Sequence, residues 1–198
     1  MADETFRIDL ARHAQDESAR STPGYHAFPE NPLTEAGIQY ARDTATALAK
    51  DYAGIVYSPI PRARQTAALF AEGSGLPLLA EEPSLSEWRP PSCVYGKTPE
   101  QYDDAYRAWR YARTADPTLA YEDGESLQDL HQRANQAVAI LKRLAAKHGP
   151  LLAVSHKVLL GVILHLELGP AEAFHQATQE PWAHCQLRTL TPHLITEA

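Results

Sequence analysis

The chain is poor in cysteine and has no long apolar run, and these absences exclude several classes of protein. Cys93 and Cys185 are the only two cysteines among 198 residues, too few and too far apart for a disulfide framework or a cysteine-based zinc site. We therefore expect both thiols to be free. No segment approaches the ~18 consecutive apolar residues of a membrane span, and the first residues lack the charged-then-apolar pattern of a secretory signal. A cytoplasmic protein without a membrane partner is expected.

The chain also lacks an excess of positive charge. Eighteen lysines and arginines stand against 25 aspartates and glutamates, so the formal net charge is −7. Because nucleic-acid binding favours basic surfaces, the composition argues against a nucleic-acid partner. An anionic small molecule would need a locally positive pocket that opposes the net charge. The histidines show no spacing typical of metal ligands, so we expect neither a metal nor a cofactor. Nothing in the sequence indicates an oligomeric state.

Short apolar runs alternate with longer amphipathic segments along the chain. The apolar runs predict strands at residues 6–11, 55–57, 76–79, 151–154 and 185–190, the last an edge strand. The amphipathic segments predict helices over residues 34–50, 58–71, 126–149 and 157–168, with caps at Thr34, Ser58 and Ser126 and a first-turn proline at Pro61. This alternation is typical of an α/β domain with a mainly parallel sheet. We expect one domain over residues 1–198.

Residues 88–121 differ from the rest because they are rich in tryptophan, tyrosine, proline and arginine. We expect a partly helical insertion over the core and the site. Tyr102, Tyr106 and Trp109 fit one helical face, which indicates either core packing or the lining of a substrate pocket. Three arginines of this segment fit either a solvated face, which we favour, or the rim of a site for an anionic substrate. They are Arg107, Arg110 and Arg113.

Polar side chains follow each of the first four predicted strands. In chain order they are Arg12 and His13, then Arg62 and Arg64, then Glu87, and finally His156. Since the carboxyl ends of parallel strands meet at one edge of a sheet, these residues are expected to converge on one site.

Such a set has the chemistry for phosphate ester cleavage. Guanidinium forks match phosphate oxygens. A neutral imidazole can attack phosphorus and form a covalent phosphohistidine. A carboxylic acid can protonate the leaving alcohol and then deprotonate a water, while a second histidine can donate to the oxygens that gain charge. None of these roles requires a metal.

Six motifs in this order resemble the histidine phosphatase superfamily, the phosphoglycerate-mutase-like group. They are Arg12-His13, Leu33–Gly37, Ser58–Ala67, Leu85–Glu87, Gly124–Ser126 and Ser155-His156. Their order and spacing match the family from near residue 6 to about residue 190. The resemblance implies a three-layer α/β/α sandwich with a mostly parallel central sheet, in agreement with the alternation described above.

The resemblance also implies a role for individual residues. His13 takes the place of the phosphorylated nucleophile and Glu87 that of the proton donor. The phosphate ligands are expected to be Arg12, Arg62 and His156, the last of which is also the second catalytic histidine.

Neighbouring charged residues compete for some of these roles. Arg62 and Arg64 lie two positions apart on a helix and face different ways, so only one should reach the phosphate, and we favour Arg62. Glu125 is better explained by its place at a helix start than by a role in the site. Lys157 could add positive charge at the rim of the pocket.

The sequence departs from the family pattern after the nucleophile. Ala14 replaces the usual glycine, which requires a backbone φ below zero at that position. Gln15 and Ser18 could contact phosphate, whereas Asp16 and Glu17 would repel it and are expected to face outward.

We therefore predict a phosphomonoester hydrolase that acts through a phosphohistidine on a small phosphorylated metabolite. One alternative is a phosphotransferase of the phosphoglycerate mutase type, although mutases of the family carry longer segments around the site. Another is a non-catalytic module that binds phosphate or a phosphoprotein.

Overall fold

The computed structural model describes residues 7–20, 26–48 and 51–190, with residues 19 and 20 described by their backbone alone. In these ranges five strands form one sheet in the order β3-β2-β4-β1-β5. The strands are β1 (Ile8–Arg12), β2 (Gly54–Tyr57), β3 (Leu78–Glu81), β4 (Leu151–Ser155) and β5 (Leu187–Thr189). Strands β1 to β4 pair in parallel, and β5 joins the edge of β1 in the antiparallel sense.

The described ranges contain six α-helices. They are α1 (Glu35–Thr46), α2 (Pro61–Ser74), α3 (Asp104–Ala115), α4 (Leu127–His148), α5 (Lys157–Leu164) and α6 (Pro170–Gln179). Helices α1 and α2 pack together on one face, and α4, α5 and α6 pack on the other. This confirms the predicted three-layer α/β/α fold. Among the described helices, none combines the length and apolarity that crossing a membrane requires.

The central strands are buried on both faces because helices cover both sides. Along β1, Ile8 and Leu10 belong to the core beneath α4 to α6, whereas Ala11 belongs to the core beneath α1 and α2. Along β4, Leu152 and Val154 belong to this second core. Since successive strand residues point to opposite faces, a strand covered twice must be apolar throughout.

The predicted helix boundaries hold at some ends and fail at others. Thr34 caps α1 by accepting the Gly37 N–H, but α1 ends at Thr46, so its predicted end was wrong; Lys50 itself lies outside the described residues. Ser58 is not the cap of α2: the cap position is Ile60, which has no side-chain capping bond, and Pro61 is the first helical residue. The hydroxyl of Ser58 instead lies within the site described below.

Among the later elements, some predicted ends are confirmed, others are shifted, and one helix was not predicted. Ser126 caps α4 by accepting the Asp129 N–H, as predicted. The helix expected over residues 157–168 ends at Leu164 and continues as a short 3-10 turn, Leu166–Leu168. Helix α6 was not predicted. The observed β3 and β5 overlap the predicted runs with shifted ends, and residue 6 of the first predicted strand lies outside the described residues.

Residues 88–121 form α3 and two short 3-10 turns, Ser92–Val94 and Pro99–Gln101. The rings of Tyr106 and Trp109 stack at 5.3 Å, and Tyr102 meets Tyr106 edge-on at 4.9 Å. All three residues are buried, and Tyr102 and Tyr106 also line a large cavity. Core packing, the first of the two alternatives for this helical face, is therefore observed for all three side chains. The lining of a pocket, the second, is observed for Tyr102 and Tyr106. Arg113 does not lie on a solvated face, because it is only 6% exposed.

Candidate active site

The residues expected at the strand ends meet at the carboxyl edge of the sheet. His13 follows β1 and His156 follows β4, and their ring centroids lie 5.1 Å apart. Arg62, in the first turn of α2, brings its Nε within 3.3 Å of His13 Nε2. Arg12 and Glu87 line the same cavity as His13 and Arg62. The fold thus brings all five residues to one place.

Hydrogen bonding fixes which nitrogen of His13 carries the proton. Nδ1 lies 2.7 Å from the carbonyl oxygen of Ala14, which can only accept, so Nδ1 is the protonated nitrogen. Nε2 then keeps its lone pair and accepts the N–H of Arg62. Burial lowers the pKa of His13 well below 6.5, and the nearby His156 and Arg62 lower this pKa further. His13 is therefore a neutral imidazole with its free lone pair on Nε2.

The loop after His13 is held by the Ser58–Ala67 motif. The N–H of Ala14 donates to Thr66 Oγ1 at 2.9 Å, and that hydroxyl donates to the carbonyl of Arg62 at 2.7 Å. Among the described residues, the non-glycine residues with positive φ are Glu122 and Cys185. Ala14 is thus accommodated because φ there is not positive.

The Leu33–Gly37 motif supports the same loop from the other side. The N–H of Thr34 donates to the carbonyl of Gln15 at 3.0 Å. A side chain at Gly37 could not fit, since its Cβ would lie 2.1 Å from that carbonyl oxygen. The amide oxygen of Gln15 is within 3.1 Å of Thr34 Oγ1, so this side chain is engaged with the motif, and it does not line the large cavity.

Arg62 and Arg64 separate as the helix geometry requires. Arg62 is buried, and its Nη1 donates to the carbonyls of Phe28 and Pro29, both at 3.4 Å. Arg64 instead pairs on the surface with Glu81 at 2.9 Å. Only Arg62 faces His13.

Asp16 faces inward, so the expectation that it lies outside was wrong. It is 3% exposed and lines the cavity, with Oδ2 3.5 Å from Arg62 Nε. Ser18, also at the cavity, donates from Oγ to Asp16 Oδ1 at 2.6 Å. A backbone bridge between Asp16 and Leu33 turns the side chain in this direction. Glu17 is half-buried and does not line this cavity.

His156 is fully buried beside His13. Its Nε2 lies 2.8 Å from Ser58 Oγ, and that oxygen already accepts the N–H of Ile60 at 3.2 Å. In the tautomer in which the Ser58 hydroxyl donates to Nε2, the proton of the neutral His156 ring lies on Nδ1. That Nδ1 has no hydrogen-bond partner within the described part of the chain. Burial, with Arg62 and other arginines, lowers the pKa of His156 well below 6.5, so the ring is neutral.

The carboxylate of Glu87 lies at the start of α5. Oε1 accepts the N–H groups of Trp88 at 2.9 Å and Leu159 at 3.1 Å, and Oε2 accepts that of Val158 at 3.3 Å. These contacts tie the loop after β3 to the helix after β4. Glu87 is therefore held against the element that follows His156.

Arg133 positions this loop and was missed by the sequence reasoning. Its guanidinium pairs with both carboxylate oxygens of Glu125 at 2.7 Å. It also donates to the carbonyls of Ser84 at 3.0 Å and Ser86 at 2.6 Å. Glu125 thus acts as an anchor for Arg133. Glu125 and Arg133 lie eight residues apart, which is about two helical turns, and this spacing was the sequence feature that could have predicted the pair.

His184 is a further residue that the sequence did not single out. Its ring centroid lies 5.7 Å from that of His13, on a segment that also contacts Arg12, whose guanidinium donates to the Trp182 carbonyl. Burial and the charge of Arg12 lower the pKa of His184 to about 4. It is therefore a neutral neighbour of His13.

A cavity of about 1230 Å³ is lined by Arg12, His13, Arg62 and Glu87 and extends to α3, whereas the fully buried His156 does not line it. Eight of the chain's 18 lysines and arginines line it, against three of its 25 acids. Lys157 is among them and donates from Nζ to the Thr178 carbonyl at 3.0 Å. The cavity is locally positive although the chain is negative overall. In the described ranges no three histidine, cysteine or acidic side chains group as a metal site would require, and both cysteines are free thiols, as predicted.

Comparison with known proteins places the chain in a family. A family model described as the histidine phosphatase superfamily (branch 1) matches residues 8–193. A probable phosphoglycerate mutase GpmB of Yersinia pestis (strain Pestoides F) is 31% identical over 180 residues, covering 85% of this chain and 78% of the relative. Its counterpart in Enterobacter sp. (strain 638) is 32% identical over 175 residues with the same coverage.

Solved structures share the fold. The mycobacterial glucosyl-3-phosphoglycerate phosphatase in its complex with VO3 is 24% identical, with a TM-score of 0.74 over 94% of this chain and 91% of its own. The alpha-ribazole phosphatase from Shigella flexneri is 25% identical, with a TM-score of 0.69 over 85% of this chain and 83% of its own.

Proposed function

The chain belongs to the histidine phosphatase superfamily, and on that premise we propose that it is a metal-independent phosphomonoester hydrolase with His13 as nucleophile. One observation carries the proposal: the unprotonated Nε2 of His13 lies 3.3 Å from the guanidinium of Arg62, in a cavity lined mainly by cationic side chains. A neutral nucleophile next to fixed phosphate-binding donors is what attack on phosphorus requires.

In the first step, the substrate phosphate lies between Arg12, Arg62 and His156. The lone pair of His13 Nε2 forms a bond to phosphorus as the bond from phosphorus to the leaving oxygen breaks. The departing oxygen takes a proton from Glu87. Nδ1–H of His156 donates to an equatorial oxygen, which this nitrogen is free to do because it has no hydrogen-bond partner among the described residues.

In the second step, a water molecule attacks the phosphohistidine. The carboxylate of Glu87 takes the proton of the water as its oxygen bonds to phosphorus. The N–P bond breaks, its electron pair returns to Nε2 of His13, and inorganic phosphate leaves. The hydrogen bond that Nδ1–H donates to the Ala14 carbonyl keeps the imidazole in one orientation through both steps.

Glu87 must carry a proton in the first step, and the substrate supplies the reason. The phosphate dianion brings negative charge next to the carboxylate, which favours the neutral acid there. The backbone donors of α5 meanwhile hold Glu87 in place. The proposal thus assigns proton transfer to a carboxyl group whose position is fixed before the substrate binds.

We further propose that the substrate is a small phosphorylated metabolite and that residues 88–121 form an insertion of a single domain over the site. The size of the cavity supports a metabolite, as do the names of the structural relatives, a glucosyl-3-phosphoglycerate phosphatase and an alpha-ribazole phosphatase. The two free thiols support a reducing, cytoplasmic location.

A second candidate is a phosphoglycerate mutase, which the names of the curated relatives favour. A mutase would transfer the phosphoryl group from His13 to a second hydroxyl instead of to water. Turnover that depends on a bisphosphorylated primer and releases no inorganic phosphate would establish this alternative.

The test is release of inorganic phosphate from p-nitrophenyl phosphate and a panel of metabolite esters in the presence of a chelator. We expect turnover, and a loss of at least about 10³-fold in His13→Ala. His148→Ala is the matched control, since His148 is exposed and does not line the cavity. Activity near the wild-type level in His13→Ala would refute the mechanism. Phosphate binding without turnover in the wild type would instead indicate a binding module.

A further inference from the structure

Lys157 is a cation of the cavity that the proposed mechanism does not use. It is the first residue of α5 and follows His156 directly in the chain. Its side chain lines the cavity together with Arg12 and Glu87. The other seven cationic residues that line the cavity are arginines. The ammonium of Lys157 therefore differs in shape and hydration from the other positive groups described there.

Close packing of α5 against α6 fixes the place of this ammonium. A Cβ atom added at Gly161 of α5 would lie 2.6 Å from Cβ of Ala177 in α6, so the two helices approach closely at that point. One turn before Gly161, Nζ of Lys157 donates to the carbonyl of Thr178 at 3.0 Å. That carbonyl belongs to the last turn of α6, where carbonyls lack a partner within the helix. Lys157 is thus held at the wall of the cavity by a contact between two helices.

The contact with Thr178 uses only part of the hydrogen-bonding capacity of Lys157. An ammonium carries three N–H groups, and the Thr178 carbonyl accepts one of them. No acidic side chain of the described ranges forms an ion pair with Lys157. The side chain is only partly buried and borders the open cavity. The remaining N–H groups are therefore available to a ligand in the cavity.

The charges around Lys157 place it near the bond that breaks. Burial lowers the pKa of Lys157, the charge of Arg12 adds to this shift, and that of Glu87 opposes it. Both groups are therefore close enough to act on the ammonium through their charge. In the proposed mechanism Arg12 binds the phosphoryl group and Glu87 protonates the leaving oxygen. The oxygen that joins these two parts of the substrate lies in the same region as the ammonium.

Glu87 itself has little free capacity to bind the leaving oxygen. Its Oε1 accepts the backbone N–H groups of Trp88 and Leu159, and its Oε2 accepts that of Val158. A carboxylate has about four lone-pair sites, so about one, on Oε2, is left for the proton that Glu87 transfers. The leaving oxygen gains negative charge as its bond to phosphorus breaks. A second donor next to Glu87 stabilises that charge.

We propose that Lys157 is a further catalytic residue that donates a hydrogen bond to the leaving oxygen of the phosphate ester. As the P–O bond breaks, its electron pair stays on the leaving oxygen, which takes the proton of Glu87 and accepts an N–H of Lys157. Lys157 keeps its own proton throughout. An ammonium suits this role because it is a compact charge that binds one oxygen, whereas a guanidinium fork matches two. This inference rests on the proposed function and deepens it.

The experiment varies the leaving group and measures kcat/KM, which covers the steps up to release of the alcohol. The substrates are 4-nitrophenyl, 4-chlorophenyl, phenyl and benzyl phosphate, which are similar in size and are given in order of decreasing acidity of the alcohol. A less acidic alcohol depends more on a donor to its oxygen. In Lys157→Met, the loss of kcat/KM should therefore be about tenfold or more greater for benzyl than for 4-nitrophenyl phosphate.

Matched variants test whether the charge of Lys157 is responsible. Lys157→Arg keeps a cation and should retain part of the wild-type dependence on the leaving group. Lys147→Met removes a lysine from the exposed last turn of α4, outside the cavity, and should keep the wild-type dependence in full.

A structural role of the contact with Thr178 is separated by comparing esters on one protein sample. A lower folded fraction reduces all rates equally and leaves their ratio unchanged, while denaturant unfolding measures the change in stability. If Lys157→Met does not fold, Lys157→Gln, whose amide can still donate to the Thr178 carbonyl, is used for the same ratio.

The outcomes distinguish this inference from the proposed function. An equal loss for all four esters would show that Lys157 only supports α6 or binds a non-bridging oxygen, and would overturn the inference. Turnover in the wild type that His13→Ala abolishes would then leave the hydrolase proposal standing. If the wild type hydrolyses none of the esters, the hydrolase proposal fails, and the role of Lys157 fails with it.

Discussion

The guanidinium of Arg62 donates from Nε to Nε2 of His13 across 3.3 Å, so this arginine contacts the atom assigned to attack phosphorus. The contact can exist only while Nε2 is unprotonated, and it therefore reports the nucleophilic form of the ring. An entering phosphate must take over this donor. In the proposed mechanism, Arg62 thus links the protonation state of His13 to the binding of the substrate.

Arg62 and Arg64 form a matched pair for testing this link. Arg62→Gln should reduce kcat/KM for p-nitrophenyl phosphate by about 10²-fold or more, because a donor to the charged oxygens is lost. Arg64→Gln should change it by less than about twofold, because Arg64 meets only Glu81 on the surface. Steady-state kinetics of both variants measure these changes. Equal losses of kcat/KM in the two variants would contradict the assignment of Arg62 as the phosphate ligand.

The titration of His13 provides a second prediction. Since burial and neighbouring positive charge lower the pKa of His13 well below 6.5, the ring binds a proton only at pH values well below 6.5. We expect its nitrogen NMR shifts to remain those of the Nδ1–H neutral tautomer from pH 8 to about pH 5.5, with His13→Ala used to assign the signals. A titration midpoint near 6.5 would show that the site does not hold the neutral ring.

Asp16 predicts an effect on phosphate affinity. Its carboxylate lies 3.5 Å from Arg62 Nε and opposes the charge of the phosphate. Asp16→Asn should lower the inhibition constant of inorganic phosphate by about threefold to tenfold, on the order of 1 kcal/mol of repulsion removed. Asp43→Asn, on an exposed face of α1, controls for net charge. Weaker phosphate binding in Asp16→Asn would mean that the carboxylate supports the site instead of opposing it.

Arg133 predicts a joint loss of stability and activity. It binds Glu125 and the carbonyls before Glu87, so Arg133→Met leaves a largely buried carboxylate unpaired and releases the loop. We expect the free energy of unfolding to fall by about 3 kcal/mol, and kcat to fall more than tenfold. Denaturant unfolding and kinetics measure the two. In the double variant Glu125→Gln/Arg133→Met, stability should recover in part while kcat stays low. A variant with a normal kcat would show that the loop does not need this anchor.

The strand-end residues could be predicted because they depend on a general property of parallel sheets. His13, Arg62 and His156 follow apolar runs, and the fold brings the ends of those runs together. Helix geometry indicated that only one of Arg62 and Arg64 reaches the site, and the resemblance to the family indicated Arg62. These inferences needed no knowledge of tertiary packing.

The remaining features depend on contacts between distant segments. Asp16 turns inward because its backbone pairs with Leu33, and Ser58 serves His156 instead of capping α2 because β4 lies next to β2. Arg133 meets the loop before Glu87 across about 47 residues of chain. Helix α6 begins at Pro170 after a glycine, and its buried face was too short to stand out as a periodic pattern. Local sequence carries little information on such pairings.

The most direct measurement is capture of the phosphoryl group on the protein. The wild type is mixed with p-nitrophenyl phosphate labelled in its phosphoryl group, quenched within milliseconds and digested with trypsin. Cleavage after Arg12 and Arg20 yields a peptide of residues 13–20 in which His13 is the only histidine and Ser18 the only serine. The account predicts label on this peptide that is labile in acid and stable in alkali, as a phosphohistidine is, and no label in His13→Ala. Turnover of the ester with no label on residues 13–20, or with acid-stable label on Ser18, would contradict it.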